Sequence, residues 1–277
     1  MRIDAHHHLW DLAVRDQPWT HGIPVLHRTF TVGDLRPALT RNAIDATVVV
    51  QTIAVPEETP ELLALTLDDP RVKAVVGWAD LTDPEIADRL VQLREAPGGS
   101  ALVGVRHGIQ DELGADWTSR ADVRRGLRAV ADAGLVYDLL VRPDQLADAV
   151  RTVREMPDVR FVLDHAGNPL VEPDGLRPWS ELMTELAACP HVTVKLSGLV
   201  TRTSTDPVRA LRPYTDVLLT TLGPDRLMFG SDWPVCLLAA DYDEVVAVTD
   251  GLTAQLTADE RDAVFGATAA RWYGIAV

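Results

Sequence analysis

Residues 159–198 read VRFVLDHAGNPLVEPDGLRPWSELMTELAACPHVTVKLSG, and the alternation inside that stretch decides the architecture. The runs at 159–165 and 192–198 are apolar almost throughout, as strands covered on both faces must be. Between them, 178–188 carries apolar residues at helical spacing. Outward from this strand, helix, strand unit the pattern continues. Six more short β-branched runs bounded by turn signals lie at 2–8, 46–52, 72–79, 102–107, 136–141 and 226–232. Helical spacing recurs at 60–68, 84–95, 120–133, 143–155 and 207–222, several times introduced by Asp or Pro in helix-starting positions. Eight strands with intervening helices predict an α/β fold, a (β/α)8 TIM barrel. The first connection is the exception: residues 9–45, with Trp10, Pro18, Trp19, Gly22 and Pro24, show no clear helix and read as a long loop over the barrel mouth. Two further candidate helices, near 241–251 and 257–272, suit closure of the barrel's end. No low-complexity linker, charge block or short repeat interrupts the chain, so 1–277 reads as one domain.

The composition fits an ordinary globular protein that can bury a sizeable core: 277 residues, 47% of them hydrophobic and 24% charged. Its 26 basic and 41 acidic side chains leave a net charge of −15, which repels phosphate backbones and argues against nucleic acid or an anionic membrane as partner. No apolar run approaches the length of a membrane span, and MRIDAHHHLW offers no apolar core of a signal peptide, so a cytoplasmic protein is expected. Cys189 and Cys236 make neither a disulfide framework nor a metal clip and read as buried thiols.

Barrel chemistry occurs at the C-terminal ends of the strands, and here polar residues collect at those ends. They are His6, His7 and His8; Gln51; Trp78 and Asp80; Arg106 and His107; Asp138; Asp164 and His165; Lys195 and Ser197; and Asp232 and Trp233. Side chains alternate along a strand, so His6 and His8 share one face and His7 takes the other. His6, His8, His165 and Asp232 on one inward ring make a three-nitrogen, one-oxygen set suited to a divalent ion such as zinc. Such an ion polarises a carbonyl and acidifies bound water, while Asp232 suits a ligand, a general base or both. The alternative, that HHH is a fragment of a purification tag, conflicts with its place inside an apolar strand. His21, His27 and His191 fall outside the pattern and read as surface or loop residues, the first two within reach of the mouth loop.

Arg106 and His107 suit recognition of a carboxylate, carbonyl or hydroxyl, or else an ion pair with one of the many acids. Lys195, in an apolar strand, is either paired with a buried acid or serves the site. Trp10, Trp78 and Trp233 lie at strand ends, where they suit flat pocket walls for a sugar ring or other planar substrate.

At these residues the chain resembles the amidohydrolase superfamily, and within it the branch of TIM-barrel metal-dependent hydrolases that includes L-fuconolactonase, L-rhamnonolactonase and 4-sulfomuconolactone hydrolase. The matching strings are IDAHHHLWD at 3–11, VVVQT with the following PEET at 48–59, VVGWADL at 75–81 and GVRH at 104–107. They continue with YDLLV at 137–141, FVLDHAGNP at 161–169, VKLSGL at 194–199 and RLMFGSDWPVC at 226–236, so the likeness covers nearly the whole chain. The resemblance implies a distorted barrel that hydrolyses a small lactone, with His6, His8, His165 and Asp232 as its site and Asp232 as the base on the hydrolytic water. It also implies a substrate-binding end on the fourth strand, supporting Arg106 and His107, and metal use that differs among relatives. The chain departs from the family's pattern at Asn168, where Lys is frequent, and at Thr268, where Asn is frequent.

The leading expectation is therefore hydrolysis of a sugar aldonolactone. Water on a metal, or oriented by His6 and His8, attacks the carbonyl, with Asp232 and His165 catalytic and Arg106, His107 and Gln51 holding polar groups. A non-oxidative decarboxylase of a small aromatic or unsaturated carboxylic acid, as the resemblance to a neighbouring branch implies, is the alternative, and a non-catalytic barrel that binds sugars or serves as a structural subunit is the third reading. The partner expected is a small molecule, and a homo-oligomer is compatible with the sequence.

Overall fold

The computed structural model describes residues 1–112, 116–172, 174–203 and 206–276. Eight parallel strands form one sheet in sequence order: β1 (Ile3–His7), β2 (Ala46–Val50), β3 (Val72–Gly77), β4 (Leu102–Gly108), β5 (Val136–Leu140), β6 (Phe161–Leu163), β7 (Val192–Leu196) and β8 (Leu227–Phe229). The sheet closes through a short seam in which His7 bridges Trp233, His8 N–H donates to the Trp233 carbonyl at 2.7 Å and Asp232 N–H donates to the His6 carbonyl at 2.8 Å. This is the (β/α)8 barrel expected from the alternation. No helix among the described residues is long and apolar enough to cross a membrane.

The helices α2 (Glu58–Asp68), α3 (Ile86–Glu95), α4 (Ala121–Asp132), α5 (Leu146–Glu155), α6 (Leu176–Ala187) and α7 (Pro207–Thr221) match the predicted segments to within a few residues. The expectation of a helix-free 9–45 needs correction, because α1 spans Val32–Arg41. Gly33 and Pro37 hide its periodicity, yet Thr31 and Asp34 form a reciprocal capping box that satisfies the first amides. The predicted C-terminal pair becomes α8 (Tyr242–Leu252) and then a continuous helical stretch, α9 (Ala258–Asp262), one π turn (263–267) and α10 (Thr268–Tyr273). Ala269, Ala270, Tyr273 and Ile275 pack with Ile3, Ala46, Val48, Ala74, Val136, Val162 and Met228, so the chain's last helix plugs one end of the barrel. Thr268 is buried there, its hydroxyl facing the Pro224 carbonyl. Both cysteines are buried and unpaired.

A register irregularity between Asp4 and His7 decides what β1 presents. Strict alternation would put Asp4 on the face of His6 and His8. Instead its fully buried carboxylate accepts from Ser231 N–H (2.9 Å), Ser231 Oγ (2.6 Å) and Tyr242 Oη (2.9 Å), clamping β1 to the segment after β8. Burial raises its pKa, and those hydrogen bonds offset part of the rise.

Candidate active site

The strands end before the functional side chains do. His8, Gln51, His165, Ser197 and Asp232 all follow their strands, where the backbone is free to turn. After β6 the chain makes a left-handed turn, with φ of 54°, 51°, 72° and 54° at His165, Ala166, Gly167 and Asn168. A non-glycine residue pays roughly 1–2 kcal/mol for that conformation, so tertiary contacts must hold it. Asp232 also lies at positive φ, 57°. The two strained residues meet: His165 Nε2 is 4.0 Å from Asp232 Oδ1. Gly198, at φ 64°, lets them do so, because a Cβ there would stand 2.7 Å from His165 Nδ1 and 3.0 Å from Asp232 Oδ2.

Around Asp232 the geometry is that of a donor set. Its Oδ1 lies 3.4 Å from His8 Nε2 and 3.7 Å from His6 Nε2, and those nitrogens are 3.2 Å apart. Donor atoms about 2.1 Å from a tetrahedral zinc stand about 3.4 Å from one another, so His6, His8 and Asp232 fit a divalent ion. The His8 tautomer agrees: Nδ1 lies 2.8 Å from the Val50 carbonyl, an obligate acceptor, so the proton sits on Nδ1 and Nε2 offers its lone pair. His165 is anchored at Nδ1 by Ser197 Oγ at 2.8 Å. Of the predicted ring, His6, His8 and Asp232 come together as one donor group, and His165, grouped with His6 and Asp164, stands 4.0 Å from Asp232.

Burial raises the Asp232 carboxyl, but His165, His8 and Arg106 outweigh it and hold the group below its ordinary value, ionised at neutral pH. Burial pulls His6 well below an ordinary imidazole and lowers His165 against the opposing pull of Asp232 and Asp164. Neutral imidazoles beside an ionised carboxylate can receive a cation, accept a proton from water, or both.

Beneath them lies a buried charge network. Lys195 Nζ donates to Asp138 Oδ2 at 2.6 Å, lies 3.0 Å from Asp164 Oδ1, and reaches His6 Nδ1 at 3.1 Å. Asp138 also accepts from Tyr273 Oη of α10 at 2.7 Å. Arg106 donates through Nη1 to Asp164 Oδ2 at 3.1 Å and through Nη2 to the backbone and side-chain oxygens of Gln51. Of the two sequence readings of Lys195, pairing with buried acids holds, and it also touches the site through His6.

Above the donor set opens a cavity of about 530 Å³ lined by His8, Gln51, Arg106, His107, His165 and Asp232 among others. The expected tryptophan walls need correction, since Trp10, Trp78 and Trp233 are not among its lining residues and Trp19 is. Trp10 is turned away by its indole N–H bond to the Arg28 carbonyl (2.7 Å) and packs on Trp19 and Phe30, against which Trp233 also packs. Trp78 stands behind His107, donating its indole N–H to Nδ1 at 3.1 Å. The other ring nitrogen therefore carries the proton toward Glu112 Oε1 at 2.7 Å. His21 and His27 stay outside the cavity, on Asp16 and Thr20, and His191 faces the Val153 carbonyl.

The family model described as amidohydrolase matches residues 3–275. The chain belongs to the amidohydrolase family. It is 41% identical to the L-fucono-1,5-lactonase of Burkholderia multivorans (strain ATCC 17616 / 249), over 99% of this chain and 96% of that one. A second L-fucono-1,5-lactonase, from Burkholderia ambifaria, is 35% identical over 99% of this chain and 96% of its own. A crystal structure of an amidohydrolase from Burkholderia multivorans with bound zinc superposes with a TM-score of 0.94 at 40% identity, covering 100% of both chains. The 5-carboxyvanillate decarboxylase of Sphingomonas paucimobilis, 16% identical with a TM-score of 0.68, shares the fold alone.

Several residues of this amidohydrolase site escaped the sequence reading. Asp4 has a sequence signal, an acid two residues before His6, but its outward turn depends on the register irregularity. Glu58 is buried and accepts from the Thr52 and Ile53 amides and the Thr52 hydroxyl, fixing the wall formed by 51–54; burial raises its pKa against those bonds. Arg202 lines the cavity from a short 3-10 segment after β7, where no strand periodicity marks it.

Proposed function

We propose that this chain hydrolyses a small sugar lactone to its hydroxy acid. The observation that carries the reading is an ionised Asp232 set among three imidazoles at the floor of a cavity of about 530 Å³, in a chain 41% identical over nearly its whole length to a lactonase. Asp232 and His8 Nε2 are acceptors that orient a water molecule toward a lactone carbonyl. Asp232 takes one proton from that water as its oxygen bonds to the carbonyl carbon. The ring C–O bond then breaks, and Asp232 returns the proton to the departing ring oxygen, leaving the hydroxyl of the open acid. His165, anchored at Nδ1 by Ser197, stands with Nε2 4.0 Å from Asp232 Oδ1 and walls the carboxylate on that side. His107, with its tautomer set by Trp78, and Gln51, pinned to β4 by its bonds with Arg106, shape the wall against the sugar hydroxyls.

His6, His8 and Asp232 are the residues that would hold a divalent ion, with His165 beside them. Zinc is the ion proposed, from the donor set and from the zinc in the Burkholderia multivorans structure. When bound, it would polarise the carbonyl and lower the pKa of water.

The test is a pH-indicator assay of the purified protein on a panel of aldono-1,4- and 1,5-lactones, with metal content measured on the same preparation. Acid release above the spontaneous rate for one stereochemical subset is expected. Silence across the panel from folded protein would overturn the reading.

A further inference from the structure

Hydrolysis of a lactone turns a neutral ester into a carboxylate, so negative charge accumulates on the carbonyl oxygen and stays on the product. The walls around Asp232 also carry Asp111 and Glu112, and the protein's net charge is −15. Whatever else polarises the carbonyl, a side-chain cation with free donors would stabilise that oxygen in the reaction and in the product. Two arginines line the cavity among the described residues, and they differ in what their donors already do.

Arg106 is committed internally. It is 3% exposed, Nη1 is taken by Asp164 and faces His6 Nε2 at 3.3 Å, and Nη2 is taken by two oxygens of Gln51. Moving it onto a substrate would strip Asp164 and Gln51 of their partners in a buried place, at a cost of roughly 1–3 kcal/mol or more for each group left unpaired. Arg202 is exposed and, among the described residues, makes one hydrogen bond, from Nη2 to Asn168 Oδ1. Partial burial of the guanidinium lowers its pKa, and the charge of Asp232 opposes that shift.

Asn168 explains how an exposed arginine is kept over the cavity. The residue is 2% exposed, at φ 54°, and its Nδ2 donates to the Val141 carbonyl at 2.8 Å. With the donor end of the amide used by the backbone, the oxygen end points to Arg202, and among the described residues the other guanidinium donors have no hydrogen-bond partner. The left-handed turn that places His165 therefore also places the residue that tethers Arg202.

We propose that Arg202, held by Asn168, is the substrate-binding cation of this site, taking the lactone carbonyl oxygen as it becomes half of the product carboxylate. The proposal rests on the hydrolase reading for its substrate but assigns the carboxylate contact independently of turnover. It makes Arg202 the contact to carbonyl and carboxylate, and Arg106 a residue that orders the floor.

The test is calorimetric titration of the full-length protein with L-fuconate, L-rhamnonate and D-gluconate, alongside kinetics on any lactone hydrolysed. For wild type, saturable binding of at least one hydroxy acid is expected. R202Q should weaken it by about 10–100-fold, the range of a charge-assisted hydrogen bond of roughly 1.5–3 kcal/mol, with R202K restoring part of the loss. N168A should weaken binding less than R202Q; R202Q should keep the wild-type melting temperature, whereas N168A, which strips the Val141 carbonyl of its partner, should lower it while leaving a cooperative transition. Hydroxy-acid affinity unchanged in folded R202Q, or no hydroxy acid bound by wild type, would overturn the proposal. Carboxylate binding that depends on Arg202 while every lactone stays intact would support it and sink the hydrolase reading instead.

Discussion

The floor and the mouth of the barrel hold the same kinds of charged residue under opposite conditions. On the floor, Lys195, Asp138, Asp164 and Arg106 are buried and joined to one another, to His6 and to Tyr273 by contacts of 2.6–3.3 Å. At the mouth, Arg202 is exposed, with one hydrogen-bond partner among the described residues. Arg106 and Arg202 are chemically identical, and both line the cavity. What separates a structural cation from a ligand-binding one is the inventory of donors already committed, a property of three-dimensional partners and not of residue type.

That contrast can be broken most forcefully between the two tiers, at Asp232. Asp232→Asn removes the base and should lower turnover roughly 10³-fold or more while leaving the melting temperature nearly unchanged, measured by indicator assay and thermal denaturation. Activity within a few-fold of wild type would remove Asp232 from the mechanism. The floor is probed by Lys195→Met, which leaves Asp138 buried without a cation and Asp164 with Arg106 alone. A loss of about 3–5 kcal/mol in denaturant unfolding is expected, against almost none for Arg202→Gln. Equal losses for the two would erase the distinction between floor and mouth.

Gly198→Ala tests the closeness of His165 and Asp232 by putting a methyl between them. Turnover should fall about 10²-fold, the scale associated with an ångström of misplacement, with the fold retained by circular dichroism. Tyr273→Phe deletes one hydrogen bond to Asp138 from the barrel's plug and should cost about 1–3 kcal/mol of stability. A further test concerns pH. Burial, aided by His8, lowers His7 from 6.5 to about 3. Its neutral form therefore contributes stability that is complete above pH 6.5 and is lost as pH falls from there toward 3. The slope is at most about 1.4 kcal/mol per pH unit. His7→Leu should flatten that limb of a stability-versus-pH series; an unchanged slope would show that other groups set it.

The barrel was legible because strand and helix periodicities differ and the chain keeps them apart. The pair His6 and His8 was legible because alternation along one strand is local. Trp10 and Trp19 show where that legibility stopped: which of two nearby indoles faces the cavity is settled by a bond to the Arg28 carbonyl, a contact between distant parts of one loop. Asp4 shows a second limit, since one register irregularity reverses the face that alternation assigns. Arg202 shows a third, because a side chain on a short 3-10 segment has no periodic pattern to betray it. Each miss is a long-range decision imposed on a local pattern.

The plug formed by α10 has a consequence in time. Ribosomes deliver His6 and Asp138 long before Tyr273, so β1 and β5 emerge with polar groups whose partners do not yet exist. Every side chain assigned to chemistry is synthesised by Asp232, yet the hydroxyl that completes the floor arrives only with the last helix. A shortened chain ending before Tyr273 would thus contain the whole catalytic set and still lack the part that finishes its foundation. For this barrel, having the reactive residues and having a finished site are separate events.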